Sequence, residues 1–243
     1  MKLNQLAVLM VVVLAGPTRA GSVEQDICQP YVQVNVGNSF GSGTVLNVGG
    51  QVLVLTAAHV VEDAVRETRS HWLDERGVVH ERVERKYQPV TLVKKSSRGR
   101  REWQAEIVRY SPPEEQGGHD LALLRPMEKS GLVPAHFNAS TRLEVGMDCW
   151  YIGTPRGLHA SLEKTILNKL DHEEEQLPGQ RYYVVNGHGT YGNSGGGVFV
   201  KVGAEYRLVG VVCRIAGWPE AGPKHCLACQ RLETVAEFLR LGE

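Results

Sequence analysis

The 243-residue sequence has no excess charge of either sign, with 27 lysines and arginines against 27 aspartates and glutamates. That balance removes any global electrostatic case for nucleic acid or an anionic membrane as partner. Repeats and low-complexity tracts are absent, while hydrophobic residues reach 42%. The composition argues against extended disorder, collagen or coiled coil as the main architecture. Cys226 and Cys229 form one C-x-x-C after His225, with no second C-x-x-C and no H-x-x-x-H beside it. A structural zinc takes about four ligands. The strand-then-helix context of a redox C-x-x-C is also missing. The acidic run Asp171–Gln176, closed by Pro178 and Gly179, lacks the ordered ligand spacing of an EF-hand and reads as a surface loop. No metal and no cofactor is expected.

Long apolar runs are scarce too. One stands at the start, Leu6 to Ala15, after Lys2 and before the small residues Gly16, Thr18 and Ala20. A helix that spans a bilayer takes about 20 residues, so this shorter run reads as a leader cleaved after Ala20; an uncleaved membrane anchor or a buried strand is the alternative. Residues 1–20 are then a signal peptide, 21–243 the mature domain, and the destination secreted or periplasmic. No membrane association is expected after cleavage. An exported chain can form disulfides. The five cysteines Cys28, Cys149, Cys213, Cys226 and Cys229 are an odd number, so at least one stays unpaired within the chain. Disulfide bonds or buried thiols are the expectation.

What the chain does have is many short β-branched or alternating segments between turn signals. They are Tyr31–Val36, Gln51–Leu55, Val90–Val93, Trp103–Tyr110, Leu121–Leu124, Cys149–Ile152, Arg181–Val185, Gly197–Lys201 and Tyr206–Cys213. Such spacing predicts a β-sandwich or barrels, not βαβ units. The doubly charged stretch Glu62–Arg101 reads as a solvated loop and hairpin excursion. At the end, Leu232, Val235, Ala236 and Leu239 share one helical face, which predicts an amphipathic helix over Arg231–Leu241.

Three segments carry chemistry: Thr56-Ala57-Ala58-His59, His119-Asp120-Leu121-Ala122-Leu123-Leu124, and Gly192-Asn193-Ser194-Gly195-Gly196-Gly197. A serine hydroxyl is a poor nucleophile until an imidazole takes its proton. A carboxylate must hold that imidazole in one tautomer and offset its charge. Backbone N–H groups must reach the oxyanion, which calls for a tight turn of small residues. His59, Asp120 and Ser194 have the right chemistry, and glycines surround the serine. His119, on an extended chain, points away from Asp120 and reads as structural; so do His80, His136 and His172.

In that order, the segments resemble the signature segments of trypsin-like, chymotrypsin-fold serine proteases. Leu208–Val212 and Cys149–Gly153 extend the likeness across most of the mature chain. The resemblance implies an all-β fold of two six-stranded antiparallel barrels with a C-terminal α-helix. Barrel 1 would cover about 29–135, barrel 2 about 140–230, and the helix 231–241. It implies a protein or peptide substrate in the cleft between barrels, and an oxyanion hole made by the N–H groups of Gly192 and Ser194. It also puts His188 at the base of the primary pocket, with Thr190 and Cys213 on its wall.

Some positions depart from the family. Asn193 stands where digestive and clotting members have an aspartate, so no trypsin-style zymogen switch is expected. In this it is similar to bacterial exported members, HtrA-like and glutamyl-endopeptidase-like, though without a PDZ domain. Val200 stands in place of a common cysteine, so Cys149 pairs elsewhere or stays free. Cys213 replaces a serine and is close enough in the family frame to pair with Cys226 or Cys229. A histidine at the pocket base gives no lysine or arginine preference.

Two other functions compete. One is a non-catalytic binding module on the same fold, motivated by the charged excursion and the odd pocket. The other is an esterase, because Gly192–Gly196 also fits G-x-S-x-G. That elbow wants the order serine, acid, histidine on a strand-to-helix turn, whereas only His225 follows Ser194 and the flanking segments read as strands.

Overall fold

The computed structural model describes residues 21–97, 99–115, 117–173, 180–216 and 226–240. The leader, His225 and the Pro178-Gly179 turn lie outside the described residues, as does Leu241 at the end of the expected helix.

Residues Tyr31–Pro126 build the first barrel from β1 (Tyr31–Val36), β2 (Ser39–Val48), β3 (Gln51–Thr56), β6 (Val90–Ser96), β7 (Gly99–Ser111) and β8 (Leu121–Pro126). Its order is β1-β2-β3-β8-β7-β6, closed by pairing of β1 with β6. Between β3 and β6 the chain leaves the barrel as a hairpin, β4 (Val65–Leu73) with β5 (Val79–Tyr87), paired from Val65↔Tyr87 to Leu73↔Val79. Almost every hairpin side chain is exposed or half-exposed, as the charge density of that stretch anticipates.

A short β9 (His136–Phe137) precedes the second barrel. That barrel comprises β10 (Asp148–Gly153), β11 (Ser161–Glu173), β12 (Arg181–Asn186), β13 (Gly197–Val202), β14 (Glu205–Ala216) and β15 (Cys226–Gln230). The strands run β13-β10-β11-β12-β15-β14, and β14 returns to β13 to close the ring. The fold is therefore all-β, two six-stranded antiparallel barrels with a C-terminal α-helix.

The period of two in these strands divides the apolar residues between two cores. Tyr151, Tyr183, Val185, Val198 and Val200 pack inside the second barrel. Their neighbours Ile152, Tyr182, Val184 and Phe199 join the core shared with the first barrel. The helix α1 (Leu232–Arg240) buries Leu232, Val235, Ala236 and Phe238. Phe238, on the same face, is more deeply buried than the expected Leu239, which is half-buried.

The disulfide expectation is corrected: all five cysteines are free thiols. Cys226 and Cys229 lie three apart on β15 and so project from opposite faces. Cys226 Sγ meets Asn186 Oδ1 at 3.8 Å, and Cys229 Sγ meets the Leu227 carbonyl at the same distance. Cys213 is buried and turned toward the first barrel. Burial pushes the Cys149 thiol up to about 12 and also raises Cys213 and Cys229, so these are protonated packing groups. No helix among the described residues is long and apolar enough to cross a membrane. Among the same residues, no cluster of His, Cys, Asp and Glu could hold a metal ion.

Candidate active site

Strand β3 ends at Thr56, whose hydroxyl donates to the Ser42 carbonyl at 2.7 Å. Ala57 turns the chain into a single tight turn, Ala58–Val60, that presents His59. Asp120 sits just before β8, fully buried, with φ at +50°. That left-handed backbone is uncommon for a residue other than glycine. It turns the carboxylate onto His59: the His59 main-chain N–H donates to Oδ1 at 3.1 Å, and Nδ1 lies 3.0 Å from both carboxylate oxygens. The pairing makes Nδ1 the protonated nitrogen and leaves Nε2 with its lone pair. Burial by itself lowers the His59 pKa. The hydrogen bond and charge of Asp120 outweigh burial and the opposing Arg214, and the net shift is upward.

Ser194 comes from the other barrel, in the turn before β13. Gly192 and Gly195 have φ of +96° and +83°. A Cβ on Gly192 would sit 2.1 Å from the Thr154 carbonyl, and one on Gly195 would sit 2.0 Å from the Ser42 carbonyl. Only glycine fits at either position. The turn is anchored by Asn193 N–H to the Thr190 carbonyl (3.2 Å), Gly196 N–H to the Asn193 carbonyl (3.0 Å) and Gly195 N–H to the Val212 carbonyl (2.7 Å).

One serine ties the two halves together. The Ser42 N–H donates to the Ser194 carbonyl at 2.8 Å, and its hydroxyl donates to the Gly192 carbonyl at 2.7 Å while accepting from Thr154 N–H at 2.9 Å. Sequence reasoning missed Ser42, although a serine between Gly41 and Gly43 in an apolar strand was the available signal.

The Tyr191 carbonyl accepts from Arg156 N–H at 2.7 Å. In a trans peptide the N–H points opposite the carbonyl, so the Gly192 N–H faces away from Arg156. Among the described residues, neither the Gly192 nor the Ser194 N–H donates to a protein acceptor. A cavity of about 630 Å³ opens here, lined by Phe40, His59, Val60, Arg156, Tyr191, Gly192 and Ser194. Another hollow, of about 600 Å³, lies at the hairpin root beside Tyr110 and is lined mainly by acidic side chains.

The residues expected in the primary pocket scatter. His188 is exposed and lies 3.3 Å from Glu163; its carbonyl accepts from Asn193 Nδ2 at 3.2 Å. Thr190 is half-buried beside the turn. Cys213 is buried, and its thiol donates to the Asp120 carbonyl at 3.5 Å, which helps hold the strained acid. None of the three lines the cavity at Ser194.

The model of the trypsin-like peptidase domain matches residues 41–211. The chain belongs to the trypsin-like peptidase family. Solved structures of the fold include the HtrA-type protease AlgW, in a serine-to-alanine variant with a tripeptide, at 18% identity and a TM-score of 0.64. That match covers 88% of this chain and 60% of AlgW, so the chain spans about three fifths of that protein. An inactive serine-to-alanine form of Rv3671c from M. tuberculosis H37Rv matches at 17% identity and a TM-score of 0.63, over 91% of this chain and 90% of that one. The MamO protease domain from Magnetospirillum magneticum matches at 16% and 0.59, over 87% and 96%. At these identities the structures show the likeness of fold alone. No curated protein matches the sequence. Membership of this family and its bilobal fold set the frame for the chemistry.

Proposed function

We propose that the chain is an exported serine endopeptidase working through His59, Asp120 and Ser194. The observation that carries the reading is a histidine held by a buried carboxylate, sharing a cavity with a serine flanked by two unspent N–H groups. Ser194 Oγ attacks the peptide carbonyl as His59 Nε2 takes its proton. The N–H groups of Gly192 and Ser194 receive the oxyanion. His59 returns the proton to the leaving amine, and an acyl-enzyme remains for water to hydrolyse. Asp120 fixes the tautomer throughout. Thr190, beside the turn, is the candidate wall of the primary pocket. The leader pattern and the similarity to an HtrA-type protease support a secreted or periplasmic location, with proteins or peptides as substrates.

Digestion of denatured casein tests this. Ser194→Ala should lower turnover by on the order of 10⁵-fold or more; equal digestion by wild type and variant overturns the reading. A non-catalytic binding module is the second reading. Its support is that no hydrogen bond joins Ser194 Oγ to His59 among the described residues, although such contacts often tighten only with substrate. Partner binding unchanged in Ser194→Ala, with no turnover of a peptide library, would favour it.

A further inference from the structure

Asp26 is buried, 6% exposed, far along the chain from the catalytic residues. Its Oδ2 accepts the Tyr206 N–H at 3.0 Å. Among the described residues, the nearest basic side chain is the half-exposed His136, whose Nε2 lies 4.0 Å from Oδ1. A buried carboxylate needs a close positive group or a full set of donors, and these two partners are few. Gly21 stands directly against it. A Cβ on Gly21 would fall 1.8 Å from Oδ2 and 2.7 Å from Cγ, so the Gly21 Cα lies within about 3.3 Å of that oxygen and its nitrogen one bond further. The Gly21 N–H already donates to the Ala204 carbonyl at 2.7 Å.

A second observation comes independently from the sequence. The basic, apolar and small-residue pattern of residues 1–20 marks the bond after Ala20 for cleavage. We propose that the Ala20–Gly21 bond is a maturation site, and that the ammonium it frees on Gly21 is the missing cation of Asp26. A leader-removing endopeptidase adds water across the amide. Ala20 leaves with the new carboxylate, and Gly21 keeps the amine, which takes up a proton at neutral pH. One N–H stays on the Ala204 carbonyl, and the other two are free to turn onto Asp26 once Ala20 is gone. A side chain at position 21 would crowd the carboxylate and force it to shift. The ion pair pins the wide turn Glu24–Cys28 to the β13–β14 hairpin, and it acts on stability, whatever the catalytic reading.

Three chains test this: one made to begin at Gly21, the same chain with one serine added before Gly21, and the Gly21 chain acetylated at its N terminus. The full-length chain is also exported and its N terminus read by mass. The exported chain should begin at Gly21. The extended and acetylated chains should melt lower than the Gly21 chain by on the order of 5 °C. Asp26→Asn, which still accepts the Tyr206 N–H, should erase those differences. Equal melting of the three chains, differences that persist in Asp26→Asn, or an exported N terminus elsewhere overturns the proposal.

Discussion

Asp120 is held from several sides. It is buried, backbone-strained, clamped by the Cys213 thiol at its carbonyl, and takes two His59 N–H groups on its carboxylate. In the proposed mechanism only neutral His59 accepts the serine proton. Because its pKa is raised above the ordinary 6.5, the acid limb of kcat/KM should fall above that pH. In Asp120→Asn the limb should move lower and the rate drop by about 10⁴-fold, read from pH profiles on a peptide ester. A raised histidine pKa favours the folded state most below the unfolded pKa, and that contribution fades as pH rises through the folded one. Ser42 is the second sensitive position. Ser42→Ala strips the Gly192 carbonyl and the Thr154 N–H of a buried partner. It should cost about 1–3 kcal/mol in urea unfolding and slow acylation by loosening the turn.

Among elements, the β4–β5 hairpin and α1 make opposite predictions. The hairpin carries exposed ion pairs, such as Arg69 with Glu67 and Glu81 at 3.3 Å and Arg85 with Glu67 at 2.7 Å, each worth about 0–1 kcal/mol. Its outer half adds nothing to either barrel core. Replacing Thr68–Glu84, which face each other across the ladder, by Asn-Gly should leave the thermal midpoint within about 3 °C. Helix α1 is held by Arg109, which donates to the Phe238 carbonyl and lies 4.5 Å over its ring. Arg109→Ala should lose about 1–2 kcal/mol by chemical denaturation. These elements were unequally legible in the sequence. Strands with unbroken apolar runs, such as β8, announced themselves. Strand β2 did not, because Gly41, Ser42 and Gly43 are kept small for the approach of Val60, the Ser194 turn and Val54. Strand β11 reads as polar because most of it faces solvent.

Across the whole molecule, the three signature segments disclosed the family because each stands at a strand end facing the cleft. Their joining did not show in the sequence. Ser42 reaches the serine turn from the first barrel, and Cys213 reaches Asp120 from the second, over separations of 150 and 93 residues. The contacts of His188 with Glu163 and of Cys213 with the Asp120 carbonyl likewise join residues far apart in the sequence. In the proposed mechanism His59 and Asp120 activate Ser194. The decisive measurement is labelling of the purified protein with a fluorophosphonate, then mapping of the modified residue by mass. Adduct is expected on Ser194 alone, lost in both Ser194→Ala and His59→Ala. Folded wild-type protein that takes up no label would overturn the mechanism and leave the fold serving as a binding module.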